Sequence, residues 1–219
     1  MIEWDYYWTI KKTSLHSVYD KIAVFYRQNI IKPHLERFIS KYLERNSIIL
    51  HAGCGGGQVE EEIAHSYTII GIDISLNAIA LYKKYHDDPN LILGDITSIG
   101  IKEDSLDGIY NLGVMEHFSV EEIKIILTEF RRILKKRGKI ILFWPPEYGS
   151  TVIFFKVVHF ILNPVLRRNI HFQPPEPSRI QSKKWVENII NQSGFTLEEI
   201  GFGMEDFWTN MVVVIRKSD

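Results

Sequence analysis

Residues 47–73, SIILHAGCGGGQVEEEIAHSYTIIGID, constrain the fold more than any other stretch of the chain. The run Ser-Ile-Ile-Leu is apolar and rich in β-branched side chains, as expected of a parallel strand covered on both faces. Gly53, Gly55, Gly56 and Gly57 then strip the following turn of every side chain but that of Cys54. Such a turn adopts positive φ without strain and lets backbone approach a ligand closely. From Gln58 the apolar spacing turns helical, with Glu60, Glu61 and Glu62 in the first turns, where acids suit the positive end of a helix dipole. Residues 68–74 read as a second strand that delivers Asp73 at its carboxyl end, twenty positions after Gly53. At that distance a carboxylate accepts hydrogen bonds from ribose hydroxyls, and the unit reads as a nucleoside-binding βαβ.

The dinucleotide fingerprint G-x-G-x-x-G is not met, because Gly53 and Gly55 fit but the sixth position is Gln58. Glycines stand instead at 53, 55 and 57, within H-A-G-C-G-G-G. This resembles the first motif of the class I S-adenosylmethionine (SAM)-dependent methyltransferases, which usually reads like L-D-x-G-C-G-x-G. The resemblance implies that Gly53, Gly55 and Gly57 present backbone to the methionine part of SAM, with His51 and Gln58 beside them. It implies that Asp73, next to Ile74, holds the ribose. It places Asp95 at the exocyclic amine of adenine with Ile96 packed on the ring, and Asn111 and Leu112 along the sulfonium. His51 departs from the pattern: the family has an acid there that helps orient the ligand's amino group. Two plainer readings stand beside these, a glycine turn that binds nothing and an Asp95 that only ends a strand.

The remaining chain can be read as a sheet and its helices. Residues 18–45 have helical spacing, with Pro33 marking a break or a new start. Ser75 can cap a helix to about residue 86; residues 91–96 are a third strand and 106–114 a fourth. Ser119 opens a helix through Lys136 that Gly138 ends, so the basic run RRILKKRGK complements a helix's carboxyl end. Residues 139–144 are a fifth strand, 182–193 the last helix, 195–202 a sixth strand and 211–217 a seventh. With the resemblance, this implies a Rossmann-like α/β fold. Its sheet is seven-stranded and mostly parallel, with strand 7 antiparallel, and helices lie on both faces. One domain, 1–219, is expected, with an N-terminal helical cap or lid at 1–45 and a substrate-side insertion at 147–180. The chain's 219 residues suit one such domain.

The insertion is the most individual part. Residues 151–166, TVIFFKVVHFILNPVL, are almost continuously apolar and lead into Arg167-Arg168. A helix apolar on most sides is usually buried, as a lid or against a second subunit. The alternative is a membrane-surface helix over 151–168, for which the polar face is small. No run reaches the ~18 apolar residues of a membrane span, and the N-terminus lacks a secretory pattern, so a cytoplasmic protein is expected. The net charge of −1 gives no general attraction to nucleic acid, which is not expected as a partner. One cysteine excludes an internal disulfide, and no cluster has metal-ligand spacing.

The expected reaction is methyl transfer from SAM to a small acceptor, leaning towards a hydrophobic or carrier-linked one, with S-adenosylhomocysteine (SAH) as product. Displacement at the activated methyl needs alignment, exclusion of water and, for some acceptors, a base. Acceptor-side candidates are His117, Tyr148 and His171, with Tyr7 and Glu176 beside them; a histidine placed like His117 is more often a packing or orienting residue. Two other readings remain: a SAM-binding subunit without turnover, fed by His51, and an NAD(P)-dependent oxidoreductase, disfavoured by Gln58.

Overall fold

The computed structural model describes residues 4, 5, 8, 24–60, 63–150, 152–153 and 176–218. Among them, seven strands form one sheet: β1 (Ile48–Ala52), β2 (Thr68–Asp73), β3 (Asn90–Leu93), β4 (Leu106–Leu112), β5 (Leu134–Trp144), β6 (Phe195–Gly201) and β7 (Met211–Lys217). Their spatial order is β3-β2-β1-β4-β5-β7-β6. The pairings from β3 through β5 are parallel, and β7 runs antiparallel to both β5 and β6. This is the doubly wound sheet with a reversed seventh strand that the sequence leads one to expect. Strand order switches direction between β1 and β4, which opens a crevice at their carboxyl ends, where ligands of such sheets bind.

Four α-helices are described: α1 (Lys32–Tyr42), α2 (Leu76–Tyr85), α3 (Val120–Ile133) and α4 (Lys183–Gln192). The alternation of side chains along the strands divides the core in two. Leu50, Ile109, Ile140 and Leu142 pack with Ile126, Phe130 and Ile133 of α3 and Ile190 of α4. Ile49, Tyr110, Ile141 and Phe143 face the other way, onto Leu35, Phe38 and Ile39 of α1. Pro33 falls in the first turn of α1, directly after a π-helical turn, Arg27–Ile31. Ser75 caps α2 and Ser182 caps α4 through side-chain oxygens. Ser119 forms a capping box with Glu122 at the start of α3, each side chain accepting from the other's backbone N–H.

Several boundaries differ from expectation. The strand expected over 91–96 stops at Leu93, where the Gly94 N–H turns to the Asp73 carbonyl at 2.9 Å. The strand expected over 106–114 stops at Leu112, and a 3-10 turn, Met115–His117, follows. α3 ends at Ile133 rather than Lys136, because β4 captures Leu134 opposite Leu106. Lys135, Lys136 and Arg137 therefore begin β5, and the irregular register before the Gly108–Lys139 pair coincides with the left-handed φ of 63° at Arg137. Lys135 reaches Asp107 at 2.7 Å, so only Arg131 and Arg132 of the basic run serve the helix end. After the glycine turn the expected helix from Gln58 is replaced, among described residues, by a 3-10 turn at Ile63–His65. Residues 61 and 62 lie outside the described set, as do residue 151 and 154–175, which hold most of the apolar insertion, and most of 1–23.

Phe130 is fully buried at the centre of the α3 face. Phe130→Ala is expected to cost about 3–5 kcal/mol of unfolding free energy, read from the urea midpoint at unchanged slope.

Candidate active site

The glycine turn is anchored at its base by β2. The N–H groups of Gly53 and Cys54 both donate to the Ile72 carbonyl, at 2.8 and 3.0 Å. Gly57 has φ +65°, and a Cβ there would stand 2.5 Å from the Tyr82 ring. Gly53 faces Val114 in the same way, at 2.7 Å, which ties the turn to the chain leaving β4. No side chain larger than hydrogen fits at either position, so the turn offers bare backbone to the crevice.

Asp73 ends β2 and binds both sides of the crevice floor. Its Oδ2 accepts from Gly55 N at 2.8 Å and its Oδ1 from Ser75 N at 2.9 Å. Ile74 follows it, half-buried. Asp95 is exposed just past β3, where its Oδ1 accepts from Thr97 N at 2.8 Å, and Ile96 behind it is buried. Both plainer and ligand-binding roles of Asp95 are compatible with this turn. Asn111 in β4 is fully buried, and neither of its side-chain amide atoms has a hydrogen-bond partner within the protein. Leu112 beside it is half-buried. An orphaned buried amide at the mouth of the crevice is costly unless a ligand completes it.

The N-terminal residues that are described reach this floor. The Trp8 ring lies 3.1 Å from where a Cβ on Gly55 would be. Asp5 accepts from Ser75 Oγ at 2.6 Å, and Trp4 meets the His117 ring edge-on at 4.9 Å. Arg27, from the π turn, donates to Gln58 Oε1 at 3.1 Å, bringing a guanidinium to the turn. Sequence spacing did not single out Arg27, which only tertiary folding brings there. Cys54 is buried, and that burial, with Asp73 and Glu60 nearby, pushes its thiol far above the usual range, so it is no nucleophile.

His51 and Glu60 form a buried pair under the turn. His51 Nδ1 and Glu60 Oε1 are in hydrogen-bond contact, Tyr110 OH donates to the same oxygen at 3.3 Å, and the His51 ring stacks on Tyr110 at 4.4 Å. The Val59 N–H reaches Glu60 Oε2 at 3.2 Å. Burial alone works to raise the Glu60 pKa, but the charge and hydrogen bond of His51 and the Val59 amide outweigh it, leaving the carboxyl below its usual value. Glu60 thus belongs to the site rather than to the first turn of a helix.

A second acid lies past β4. Glu116 is buried beside His117, whose Nε2 is 4.0 Å from Glu116 Oε1. Its other oxygen, Oε2, has no hydrogen-bond partner within the protein. Burial raises its pKa to about 8, an effect that Glu176 reinforces and Arg179 opposes. Residues 176–180 are laced against it: Ser178 N donates to the Glu116 carbonyl at 3.2 Å, and Trp144 Nε1 to the Ser178 carbonyl at 2.7 Å. Arg179 pairs with Glu176 at 2.7 Å. Tyr148 sits on the rim, half exposed and edge-on to Phe202 at 5.5 Å. Tyr7 and His171 lie outside the described residues. No group of metal-ligating side chains occurs among the described residues.

Comparison with known proteins agrees with this geometry. The methyltransferase domain family matches residues 50–142, which include the glycine turn, Asp73, Asp95, Asn111 and Glu116. Residues 50–142 are a methyltransferase domain. The sheet is that of the class I, SAM-dependent enzymes. The magnesium protoporphyrin IX methyltransferase of Synechocystis, solved with SAH bound, superposes with a TM-score of 0.65 at 16% identity, over 98% of this chain and 93% of that one. A methyltransferase of Haloferax volcanii, solved in complex with the Trm112 activator, gives 0.58 at 16% identity, over 81% and 84%. Among curated sequences, the yeast tRNA (carboxymethyluridine(34)-5-O)-methyltransferase is 26% identical over 142 residues, 63% of this chain and 50% of the relative. The chain spans about half the length of the curated relatives it matches. SAM fits what the site leaves open: a turn without side chains, a carboxylate at the end of β2 and an orphaned amide at the end of β4.

The raised pKa of Glu116 gives the protein a pH signature. Its folded-state value, about 8, exceeds the ordinary 4.5, so the folded state holds the proton more tightly than the unfolded chain. The stability this contributes is complete below pH 4.5 and is lost as pH rises through about 8. The loss amounts to roughly 5 kcal/mol. Urea unfolding across that range is expected to show a flatter pH profile for Glu116→Gln than for the unaltered protein.

Proposed function

We propose that this protein transfers the methyl group of SAM to a small apolar acceptor that enters at the carboxyl edge of β5. The observation that carries the acceptor class is an exposed apolar rim on that edge. β7 runs antiparallel to β5 and pairs Met211 with Trp144, so the β6–β7 reversal stands at the same end of the sheet as the glycine turn. Met204, Phe207 and Trp208 of that reversal are exposed, as are Tyr148 and Ile153 where β5 gives way to the insertion. Ser150 N donates to the Trp208 carbonyl at 2.9 Å, which joins the two halves of the rim. Such a patch beside a ligand crevice marks a surface for apolar partners.

Bound SAM would supply a methyl group on a positively charged sulfur, open to displacement by a nucleophile in line with the departing sulfur. The chain's own residues would do the rest. Gly53, Gly55 and Gly57 would receive the methionine part against backbone, and Arg27 beside Gln58 suits its carboxylate. Asp73 would accept from the ribose hydroxyls, and Asp95 with Ile96 would take the adenine. Asn111 would turn its amide to the ligand beside Leu112. Trp4 and Trp8 would exclude water from above the turn, which strengthens alignment. His117 would be the candidate to receive a proton leaving the acceptor, ahead of Tyr148 on the rim, with Glu116 able to do so only once it has lost its own proton above about pH 8.

A second reading, methylation of tRNA, is favoured by the yeast relative, which bears that activity in its name. The chain's net charge of −1 opposes it, since phosphate contacts dominate nucleic-acid affinity. Among the described residues no helix is long and apolar enough to cross a membrane.

The two readings separate when the protein is incubated with methyl-tritiated SAM and either bulk tRNA or a cell extract partitioned into organic and aqueous phases. Label entering the organic phase supports an apolar acceptor; label entering tRNA alone overturns it. Asp73→Ala is expected to weaken SAH binding at least about tenfold, as loss of charge-assisted hydrogen bonds does, with calorimetry as the measurement.

A further inference from the structure

We infer that Glu116 holds an oxygen of the acceptor, and that the acceptor is therefore an uncharged, oxygen-bearing apolar molecule rather than an acid or an amine. The inference rests on the acceptor site proposed above and names the chemistry of its polar end.

Glu116 stands just past β4, in the 3-10 turn that follows Gly113. Gly113 has φ +67°, and a Cβ on it would lie 3.2 Å from Glu116 Oε1, so the carboxyl sits at the tip of the strand. Residues 176–180 run beside this turn and are fixed to it through backbone. Ser178 N donates to the Glu116 carbonyl at 3.2 Å, Ile180 N to the Pro145 carbonyl at 3.1 Å, and Glu147 N to the Ile180 carbonyl at 3.0 Å. This strap therefore spans the carboxyl ends of β4 and β5, the edge at which the acceptor would enter.

Two carboxyls and one guanidinium meet there. Arg179 gives its Nε to Glu176 Oε2 at 2.7 Å, and the Glu176 side chain is only 8% exposed. Among the described residues Arg179 is thus engaged elsewhere, and His117 Nε2, at 4.0 Å, stands beyond hydrogen-bond reach of Glu116 Oε1. Glu116 is itself 4% exposed. A buried carboxylate without a paired cation is far costlier than a carboxylic acid, so Glu116 is the one of the two that carries a proton, in keeping with its raised pKa of about 8. As an acid it has an O–H to give, and Oε2 has no hydrogen-bond partner within the protein. An unmet donor in a buried site is costly, and an acceptor oxygen placed against it removes that cost.

The same surroundings choose the charge of what docks. Burial and the Glu176 carboxylate keep Glu116 from ionising, and they act in the same way on an acceptor acid, which when uncharged is a poor nucleophile. An ammonium would meet the like charge of the sulfonium of bound SAM, and its nitrogen has no lone pair to give. A neutral oxygen suffers neither penalty, and an apolar body behind it suits the rim of Tyr148, Ile153 and Trp208. In the transfer a hydroxyl oxygen of the acceptor bonds to the methyl carbon, the carbon–sulfur electron pair stays on sulfur, and the hydroxyl proton passes to His117 and on to solvent. Glu116 keeps its proton throughout: it is a holder of the acceptor and not the base.

The protein is incubated with methyl-tritiated SAM and cell extract, and the organic phase is washed with dilute acid, washed with bicarbonate and then saponified. Label that stays in the organic phase through all three steps is expected. Label leaving with acid marks a methylated amine, label leaving with bicarbonate an acceptor bearing an acid group, and label released as volatile methanol a methyl ester; each overturns the inference. An organic phase without label removes the acceptor site proposed above, and the inference with it, while an unaltered protein that binds no SAH by calorimetry fails the SAM reading instead. Two variants address Glu116 itself. Glu116→Leu removes the donor and is expected to raise the half-saturating amount of extract about tenfold, the worth of one hydrogen bond. Glu116→Gln keeps a donor that cannot ionise. For the unaltered protein the half-saturating amount should climb as pH rises through about 8, and for Glu116→Gln it should stay level. Both variants should bind SAH as the unaltered protein does, which shows that they are folded. A Leu variant saturated by the same amount of extract as the unaltered protein, or a Gln variant with the same pH dependence, would remove Glu116 from the acceptor.

Discussion

The carboxylate of Asp73 is the clasp on which the crevice depends. One oxygen holds the glycine turn through Gly55 and the other holds the entry to α2 through Ser75. Both are backbone N–H donors that secondary structure leaves unpaired, one in a turn and one at a helix start. Charge-assisted hydrogen bonds of this kind are stronger than neutral ones, and two from one carboxylate fix a distance between elements that otherwise share few contacts. The Cys54 and Gly53 amides, both on the Ile72 carbonyl, complete the attachment of the turn to β2. The crevice therefore exists before any ligand arrives, and the residue that would hold the ribose also holds the floor.

Much of this could be read from the chain itself. The strands and helices follow from alternating apolar patterns and the reversed β7 from the resemblance, and the caps at Ser75, Ser119 and Ser182 are legible as serines ahead of apolar periodicity. The glycine turn was legible because glycine is a constraint on φ and on space, which is local information. What was not legible is tertiary. Nothing in the spacing of RRILKKRGK tells that β4 will seize Leu134, and the pattern alone extends the helix three residues too far. Nothing near Gln58 tells that Glu60 will turn inward to His51 rather than sit in a first helical turn. Arg27 and Trp8 reach the turn from segments that sequence distance hides.

The two buried acids divide the site electrically. Glu60 has three partners and a lowered pKa, so it carries its charge; Glu116 has an oxygen without a partner and a raised pKa, so near neutrality it holds its proton. A buried His51–Glu60 pair beside the glycine turn and a proton-holding Glu116 past β4 give the two sides of the crevice different electrostatics.

The position of β7 between β5 and β6 has a consequence for how the sheet is assembled. β5 lies inside the sheet, yet its second edge is completed only by residues as remote as Met211, opposite Trp144. β6, made earlier than β7 on a ribosome, has no described strand to join until β7 arrives. The β3-β2-β1-β4-β5 half can form as its strands emerge, while β5 keeps an open, apolar edge through the synthesis of everything between. Non-local pairing of this kind is slow and leaves a nascent chain adhesive. The exposed apolar rim from Tyr148 to Trp208 is synthesised during that interval, while β5 is paired with β4 alone.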